Sequence, residues 1–233
     1  MIISGAGRRL SITVYGPFVG IPRGGADKAR ILQNIRMTMY RDAKIADSTR
    51  PAVFLDRDGI INMKMAEGEY VTHWSGFTFL PGVFEAIRLF NANDRLVIVV
   101  TNQQCIGKGL VTMEAIETIH TKMTGSLEEN GSHVDGIYVC PHLASDGCSC
   151  RKPGTGLFEM ALKDFRKRGI SIDMSNSYMI GDSATDILAG ERAGLRTILL
   201  ASDYHPAACL HGAGLLDAAR RIVGDTRARR MAM

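Results

Sequence analysis

The sequence predicts an α/β fold, a three-layer sandwich in which helices cover both faces of a mostly parallel sheet. Short apolar runs alternate with amphipathic helical stretches along residues 51–223, and βαβα alternation of this kind is typical of a parallel sheet. Three of the apolar runs end at polar side chains. No stretch between them is long enough for a large cap domain, so we expect a single domain of this class.

Five strands are predicted, at residues 52–55, 96–100, 136–139, 178–180 and 197–200. Five helices are predicted, at residues 82–91, 112–130 and 155–168, one that ends at 193, and one at 212–223. Helical spacing of Val83, Ala86 and Phe90 defines the first helix, and Thr112 is a plausible cap of the second. Residues 60–80 show no helical period, which favours a loop or small hairpin.

Length and composition indicate an ordinary globular protein. The chain has 233 residues, of which 45% are hydrophobic and 22% charged, enough for one sizeable core. No apolar run approaches the roughly 20 residues that span a bilayer. We therefore expect a cytoplasmic monomer with no membrane partner.

Positive charge is concentrated at the two ends of the chain. Residues 1–50 carry nine Lys and Arg against three Asp, whereas residues 51–219 carry 14 basic against 20 acidic side chains. A nucleic-acid surface would place its positive charge on the folded face. The charge pattern therefore argues against a nucleic-acid partner.

Residues 1–50 are predicted to be a loosely ordered N-terminal extension, and residues 224–233 a basic C-terminal tail. The extension is rich in Gly and Arg without a sustained period, and its interval 28–46 has helical composition but no cap. A transit peptide, a loose tail and a start codon placed too early all fit this composition. Met37 and Met39 are the internal alternatives for the start.

Asp56 and Asp58 follow the first predicted strand at a turn. One carboxylate can attack phosphorus, while the other donates a proton to the leaving alcohol and later takes one from water. Two crowded carboxylates repel each other unless a cation lies between them, and hard oxygen ligands suit Mg²⁺. Taken alone, the Asp-x-Asp-Gly pattern is more typical of a solvated turn than of a catalytic pair.

Polar residues at two other strand ends change that interpretation. Thr101-Asn102 ends the second strand, Asp182 follows the fourth, and Lys152 lies between them in sequence. Carboxyl ends of parallel strands meet at one crevice, so these distant groups indicate a phosphoryl-transfer site. Asp186, one helical turn after Asp182, is predicted to orient Asp182 or Lys152, with a solvated helix position as the alternative.

The chemistry gives each of these groups a role. Mg²⁺ bridging Asp56, the main-chain carbonyl of Asp58 and Asp182 would screen the repulsion between nucleophile and phosphate. Thr101, through its hydroxyl, and Lys152, through its ammonium, would hold the phosphate oxygens.

Four potential metal ligands lie close together at Cys140, His142, Cys148 and Cys150. Three thiolates and one imidazole can surround Zn²⁺ with no position left for water, which predicts a structural site. Free cysteines in a loop are the alternative. Because the cluster ends immediately before Arg151, we expect it to set where that Arg and the following Lys point.

The remaining cysteines and histidines show no metal spacing. Cys105 and Cys209 are expected to be small buried apolar residues. The isolated histidines are expected to be surface or satisfied polar residues: His73, His120, His133, His205 and His211.

Taken together, four motifs resemble those of the haloacid dehalogenase-like phosphohydrolases: Leu-Asp56-Arg-Asp58-Gly, Thr101-Asn-Gln, Arg151-Lys152-Pro and Gly181-Asp182. The cysteine cluster and the segments Tyr70-Val71 and Phe79-Leu-Pro-Gly are similar to those of the D-glycero-D-manno-heptose 1,7-bisphosphate phosphatases. The related histidinol-phosphate phosphatases share the zinc loop.

The resemblance implies a Rossmann-like sheet, Mg²⁺ as cofactor, Asp56 as nucleophile, Asp58 as acid and base, and Lys152 on the phosphate. It further implies that Arg151 contacts substrate, with a second phosphate as a candidate, and Asn102 and Gln103 are assigned to substrate binding beside it. The chain departs from the family pattern at three places: Ile60, Gln104-Cys105 and Ser183.

The leading hypothesis is a Mg²⁺-dependent phosphatase of a small phosphorylated metabolite, with heptose bisphosphate first and histidinol phosphate second. Residues 67–79 and 104–108 would form the specificity wall. A nucleic-acid end-processing phosphatase and a non-catalytic interaction protein are the alternatives from other classes.

Overall fold

The structure, a computed structural model, describes residues 12–14, 48–200, 210–211 and 214–231. Seven parallel strands of this part form one sheet in the order β1-β4-β3-β2-β5-β6-β7. The strands are β1 (Ile12–Val14), β2 (Ser48–Leu55), β3 (Leu96–Asn102), β4 (Gly136–Cys140), β5 (Ile170–Gly181), β6 (Arg196–Leu199) and β7 (Leu210–His211). The predicted parallel sheet is confirmed.

Six α-helices accompany the strands in the described residues. They are α1 (Val83–Ala92), α2 (Gln104–Gly107), α3 (Met113–Glu129), α4 (Gly156–Lys167), α5 (Ala184–Arg192) and α6 (Leu215–Met231). Between β2 and α1 there is only a loop with one 3₁₀ turn at Trp74–Gly76 and a bridge from Asn62 to Phe79. This loop takes the place of a cap domain. None of the described helices has both the length and the apolar character needed to cross a membrane.

Each central strand buries side chains on both faces of the sheet. In β2, Val53 and Leu55 join the core under α1, α3 and α6, whereas Ala52 and Phe54 join the core under α4 and α5. This alternation follows from the period of two along a strand. It explains why the central strands read as unbroken apolar runs.

Strand β5 is longer than predicted. The prediction covered only residues 178–180, because they are the only continuous apolar run in this strand. The first half of β5 pairs with residues 48–51 of β2, and a bulge separates the two halves of the pairing. Ile170, Ile172 and Met174 alternate with polar residues and pack against the core. That alternation was the sequence signal for the missing half of the strand.

Regular structure extends into both predicted end segments. Strand β1 lies within the predicted extension and pairs with β4, and β2 already begins at Ser48. The run Ile-Thr-Val is β-branched throughout and therefore favours a strand despite its glycine-rich surroundings. Helix α6 continues to Met231, because Ala and Arg in the predicted tail are good helix formers. The interval 28–46 and the alternative starts lie outside the described residues.

Thr112 caps α3 as predicted, and its hydroxyl accepts a hydrogen bond from the Ala115 N–H at 3.3 Å. We expect Thr112→Ala to lower the free energy of unfolding by about 1 kcal/mol, because one N–H at the helix start loses its acceptor. Thr118→Ala, within the exposed face of the same helix, is the matched control and should change stability little. Urea denaturation of both variants measures the difference, and equal stability of the two would contradict the capping role.

Candidate active site

Three adjacent strand ends place polar side chains around one cavity. Strand β2 leads into Asp56, β3 ends at Thr101-Asn102, and β5 leads into Asp182. Because β2 lies between β3 and β5 in the sheet, these ends are neighbours. Together with Lys152 they line a cavity of about 640 Å³. The sequence prediction that these distant residues meet at one crevice is therefore confirmed.

The turn after β2 fixes the direction of the two carboxylates. The main-chain carbonyl of Arg57 accepts hydrogen bonds from the N–H groups of Ile60, Ile61 and Asn62, at 3.3, 2.8 and 3.1 Å. Gly59 has a φ of +85°, and a Cβ at this position would lie 2.3 Å from Oδ2 of Asp182. Only glycine therefore allows the turn and the Asp182 carboxylate to approach each other so closely.

Asp58 is surrounded by hydrogen-bond donors. Arg57 Nη2 donates to its two oxygens at 2.8 and 2.9 Å. Asn62 Nδ2 donates at 2.9 Å and Gln103 Nε2 at 2.8 Å. Burial alone would raise the pKa of Asp58, but the Arg57 charge and these hydrogen bonds outweigh it and lower the pKa below its ordinary value. The resting carboxyl is therefore held in its ionised form.

Asp56 lies in a more apolar and more negatively charged setting. Burial raises the pKa of Asp56 to about 7, since the opposing effect of Lys152 is partly cancelled by the charges of Asp186 and Asp58. Lys152 Nζ lies 2.9 Å from Asp56 Oδ1 and 2.6 Å from Asp186 Oδ1. It also donates to the Val100 carbonyl at 2.8 Å. The buried ammonium thus joins two carboxylates to the end of β3.

Asp186 is ion-paired with Lys152, and its hydrogen bonds in the described residues go to Ser183, not to Asp182. The Ser183 hydroxyl and N–H donate to Asp186 Oδ2 at 2.5 and 3.1 Å, while Oδ1 faces the ammonium. The side chain is 1% exposed, so the alternative of a solvated helix position is wrong. A Cβ on Gly181 would lie 2.2 Å from the Asp186 Cβ, which makes this close approach dependent on glycine.

The three polar residues at the end of β3 have different surroundings. Thr101 and Asn102 line the cavity. Asn102 exchanges two hydrogen bonds with the main chain of Lys152, at 3.1 and 3.2 Å, and so fixes the segment that carries the ammonium. Gln103, assigned from the sequence to substrate binding, is not among the cavity-lining residues. It is buried behind the cavity, where its amide donates to Asp58 and Thr101. Its geometry is that of a residue that orients these two side chains.

A divalent cation fits the donor set at the bottom of the cavity. Carboxylate oxygens of Asp56, Asp182 and Asp186 lie within 4.8 Å of one another. Both oxygens of Asp186 are engaged, by Lys152 and Ser183, whereas Asp56 and Asp182 each use one oxygen for an ion pair, with Lys152 and Lys64, and keep the other for a cation. Hard oxygen donors in this number match Mg²⁺ better than a softer metal.

The cysteine cluster has the dimensions of a tetrahedral metal site. Sγ of Cys150 lies 3.2 Å from His142 Nδ1 and 3.3 Å from Cys140 Sγ, and Sγ of Cys148 lies 3.7 Å from that of Cys140. Ligands around tetrahedral Zn²⁺ are separated by roughly 3.5 to 3.8 Å, given the usual Zn–S and Zn–N distances. A hydrogen bond from Cys150 lowers the pKa of the Cys140 thiol to about 5. The four predicted ligands therefore converge, and three of them are thiols.

The outer wall of the cavity joins the loop after β2 to the cysteine loop. The Tyr70 hydroxyl accepts hydrogen bonds from Gln104 Nε2 at 2.8 Å and from Lys108 Nζ at 2.9 Å. Arg151 Nη2 donates to Gln104 Oε1 at 3.4 Å, and Arg151 Nη1 donates to the His142 carbonyl at 3.3 Å. Side-chain hydrogen bonds therefore connect the two segments, 67–79 and 104–108, that the sequence predicts to form the specificity wall.

Sequence reasoning missed several residues of the site. Lys64 Nζ lies 2.7 Å from Asp182 Oδ2, and Arg57 and Asn62 bind Asp58. His120, expected to be a surface or satisfied polar residue, is fully buried next to Arg57. For Arg57, its position between two aspartates was the one feature of the sequence that indicated a role in the site. For Lys64 and His120 no pattern in the sequence distinguished them from ordinary loop and helix residues.

Comparison with known proteins gives consistent results. A family model described as HAD-hydrolase-like matches residues 149–226. The D-glycero-beta-D-manno-heptose-1,7-bisphosphate 7-phosphatase of Vibrio cholerae is 40% identical over 164 residues, which cover 67% of this chain and 84% of that protein. The corresponding alpha-specific enzyme of Mycobacterium bovis is 38% identical over 135 residues, 58% of this chain and 68% of that protein.

A solved structure is similar over most of its length. The D,D-heptose 1,7-bisphosphate phosphatase of B. bronchiseptica, complexed with magnesium and phosphate, superimposes with a TM-score of 0.68 at 28% identity. The match covers 75% of this chain and 99% of that one. With the site geometry above, these relatives show that the chain belongs to the D-glycero-D-manno-heptose-1,7-bisphosphate 7-phosphatase family of haloacid dehalogenase-like hydrolases and is a phosphoric monoester hydrolase.

Proposed function

We propose that this chain removes the 7-phosphate of a D-glycero-D-manno-heptose 1,7-bisphosphate through an aspartyl-phosphate on Asp56. The observation that carries the proposal is the convergence of Asp56, Asp58, Lys152 and Asp182 in one cavity. It is supported by relatives of that activity at 40% and 38% identity.

In the first half-reaction, an Asp56 oxygen bonds to phosphorus and the bond from phosphorus to the sugar oxygen breaks. Asp58 gives its proton to the departing alkoxide. Asp58 is ionised in the resting site, so it takes up this proton from solvent as substrate binds, because the negative charge of the phosphate raises its pKa. Lys152 and the Thr101 hydroxyl hold the phosphate oxygens as their charge shifts.

In the second half-reaction, Asp58 takes a proton from water, and the water oxygen bonds to phosphorus. The bond from phosphorus to Asp56 breaks, which releases inorganic phosphate and restores the carboxylate. The hydrogen bonds from Arg57, Asn62 and Gln103 favour the ionised Asp58 that this step requires. The same contacts therefore make Asp58 a well-oriented base.

We assign Mg²⁺ to Asp56, Asp182 and the main-chain carbonyl of Asp58. When bound, it would offset the repulsion between the Asp56 carboxylate and the phosphate. We also assign a structural Zn²⁺ to Cys140, His142, Cys148 and Cys150, on the basis of their separations. No disulfide joins the described cysteines, which is consistent with a reducing compartment such as the cytoplasm.

The second phosphate of the substrate would lie against Arg151. This guanidinium lines the cavity, and its two hydrogen bonds, at 3.3 and 3.4 Å, are long and leave donors for a ligand. Glu67 and Glu69 also line the cavity, at its exposed rim. They favour a cationic substrate such as histidinol phosphate as the second candidate, and they disfavour the terminus of a nucleic acid.

Phosphate release from a panel of substrates with Mg²⁺ present tests the proposal. We expect kcat/KM for heptose 1,7-bisphosphate to exceed that for histidinol phosphate by about a hundredfold, because only the former offers a second anion to Arg151. Arg151→Gln should reduce this preference and leave turnover of a simple aryl phosphate nearly unchanged. Equal turnover of many phosphoesters would refute the specific assignment, and no turnover of any would favour a non-catalytic protein.

A further inference from the structure

A buried histidine on α3 contacts the Arg57 guanidinium on the side opposite Asp58. Arg57 and His120 are both 0% exposed, and Arg57 Nη1 lies 3.3 Å from His120 Nε2. A guanidinium can only donate hydrogen bonds, so His120 Nε2 must be the acceptor. The His120 proton is therefore on Nδ1. The ring is neutral, since burial and the Arg57 charge lower the pKa of His120 to about 3.

The neutrality of this acceptor matters for Asp58. The other side of the Arg57 guanidinium, through Nε and Nη2, is directed entirely at the Asp58 carboxylate. A carboxylate at position 120 would compete for the positive charge and draw Arg57 away from Asp58. A neutral imidazole accepts from Nη1 while leaving Asp58 as the partner that carries the opposite charge.

Within the part of the chain that the structure describes, His120 has only one of its two ring nitrogens paired, and that pairing is with Arg57. Nδ1 is buried and has no hydrogen-bond partner among the described residues, and an unsatisfied buried donor costs about 1 to 3 kcal/mol. The surrounding positions of the helix, Ile116, Ile119 and Met123, are apolar and fully packed in the core. A leucine or methionine at position 120 would remove the unpaired Nδ1, but it would also leave the buried Arg57 Nη1 without its acceptor, so the contact with Arg57 is what the histidine contributes.

We propose that His120 is a positioning residue for the reaction, which acts through Arg57 to hold the Asp58 carboxylate in place. Its Nε2 fixes the guanidinium, and the guanidinium fixes both oxygens of Asp58. This inference rests on the proposed role of Asp58 as acid and base. It adds to the active site a residue of α3, a helix that contributes no residue to the cavity lining.

The experiment compares His120→Leu and His120→Gln with the unaltered enzyme, using the best substrate of the panel. With leucine, Arg57 loses its acceptor and Asp58 its fixed partner, so we expect kcat at neutral pH to fall about tenfold, with KM within about twofold. The pH profile of kcat should move to higher pH, because Asp58 loses part of the interaction that lowers its pKa. Glutamine offers an acceptor oxygen and should restore kcat to within about threefold of the original value.

Thr124→Val is the matched control. It alters another buried polar residue one turn along α3, whose hydroxyl donates only to the Thr121 carbonyl. This variant should keep the original pH profile. A folded His120→Leu enzyme with unchanged kcat and pH profile would overturn the proposal.

Nitrogen NMR of the imidazole gives a readout that does not need activity, with the His120 signals assigned by their loss in His120→Gln. A protonated Nδ1 and an unprotonated Nε2 between pH 5 and 8 support the proposal. A protonated Nε2 overturns it, even if His120→Leu fails to fold. If the unaltered enzyme hydrolyses no phosphate ester, the proposed function fails separately, and the NMR result still decides how His120 meets Arg57.

Discussion

Asp56→Asn should abolish phosphate release, with a fall in kcat of about a thousandfold or more. The amide keeps the shape of the side chain but cannot form the bond to phosphorus. Lys152 and Asp186 remain paired at 2.6 Å, so the cavity itself should persist. The loss should be of the same size for a sugar phosphate and for an aryl phosphate, because the nucleophile is common to both.

The stability of this variant separates a missing nucleophile from a damaged fold. Asp56, Asp182 and Asp186 crowd their oxygens within 4.8 Å, so removing one negative charge relieves repulsion in the absence of Mg²⁺. We therefore expect Asp56→Asn to melt at the same temperature as the unaltered protein or higher. Asp164→Asn, at an exposed ion pair with Lys167 on α4, is the matched control and should keep full activity. Substantial turnover by Asp56→Asn would refute the covalent route.

The central part of the fold was predictable because its signals are local. Each buried strand is a continuous apolar run, and helix α1 shows its buried face in the spacing of Val83, Ala86 and Phe90. The first half of β5 gave a weaker signal, since its polar residues alternate with Ile170 and Ile172. It was missed because its pairing partner is the far end of β2, which no local pattern indicates.

The same distinction applies to the site. Asp56, Thr101 and Asp182 were predictable because each directly follows or ends a strand, and parallel topology then brings the strand ends together. Gln103 and His120 act by contacts between separate elements. Gln103 turns away from the cavity toward Asp58, and His120 reaches Arg57 across 63 positions of sequence. Spacing along the chain does not determine side-chain direction or tertiary contact, so these roles depend on the three-dimensional structure.

The cysteine cluster should be as important for activity as for stability, although none of its ligands lines the cavity. Its last ligand, Cys150, is followed at once by Arg151 and Lys152. The loop between Cys140 and Cys150 buries little apolar surface of its own, with Leu143 and Cys148 only partly covered. The metal would therefore act together with the two Asn102 hydrogen bonds to constrain the main chain that delivers the Lys152 ammonium to Asp56.

We expect Cys148→Ala to lose its zinc, measured by elemental analysis against one equivalent in the unaltered protein. Loss of a structural zinc ligand should lower the free energy of unfolding by about 3 kcal/mol, or the melting temperature by roughly 10 °C for a chain of this size. Activity should fall about a hundredfold even at temperatures where the variant is folded, because Lys152 and Arg151 lose their fixed positions.

Ser149→Ala, within the same loop, retains all four ligands and should match the unaltered protein in zinc content, melting temperature and kcat. A Cys148→Ala variant with full activity would show that the loop orders itself without metal, and a purified protein free of zinc would exclude the metal site altogether.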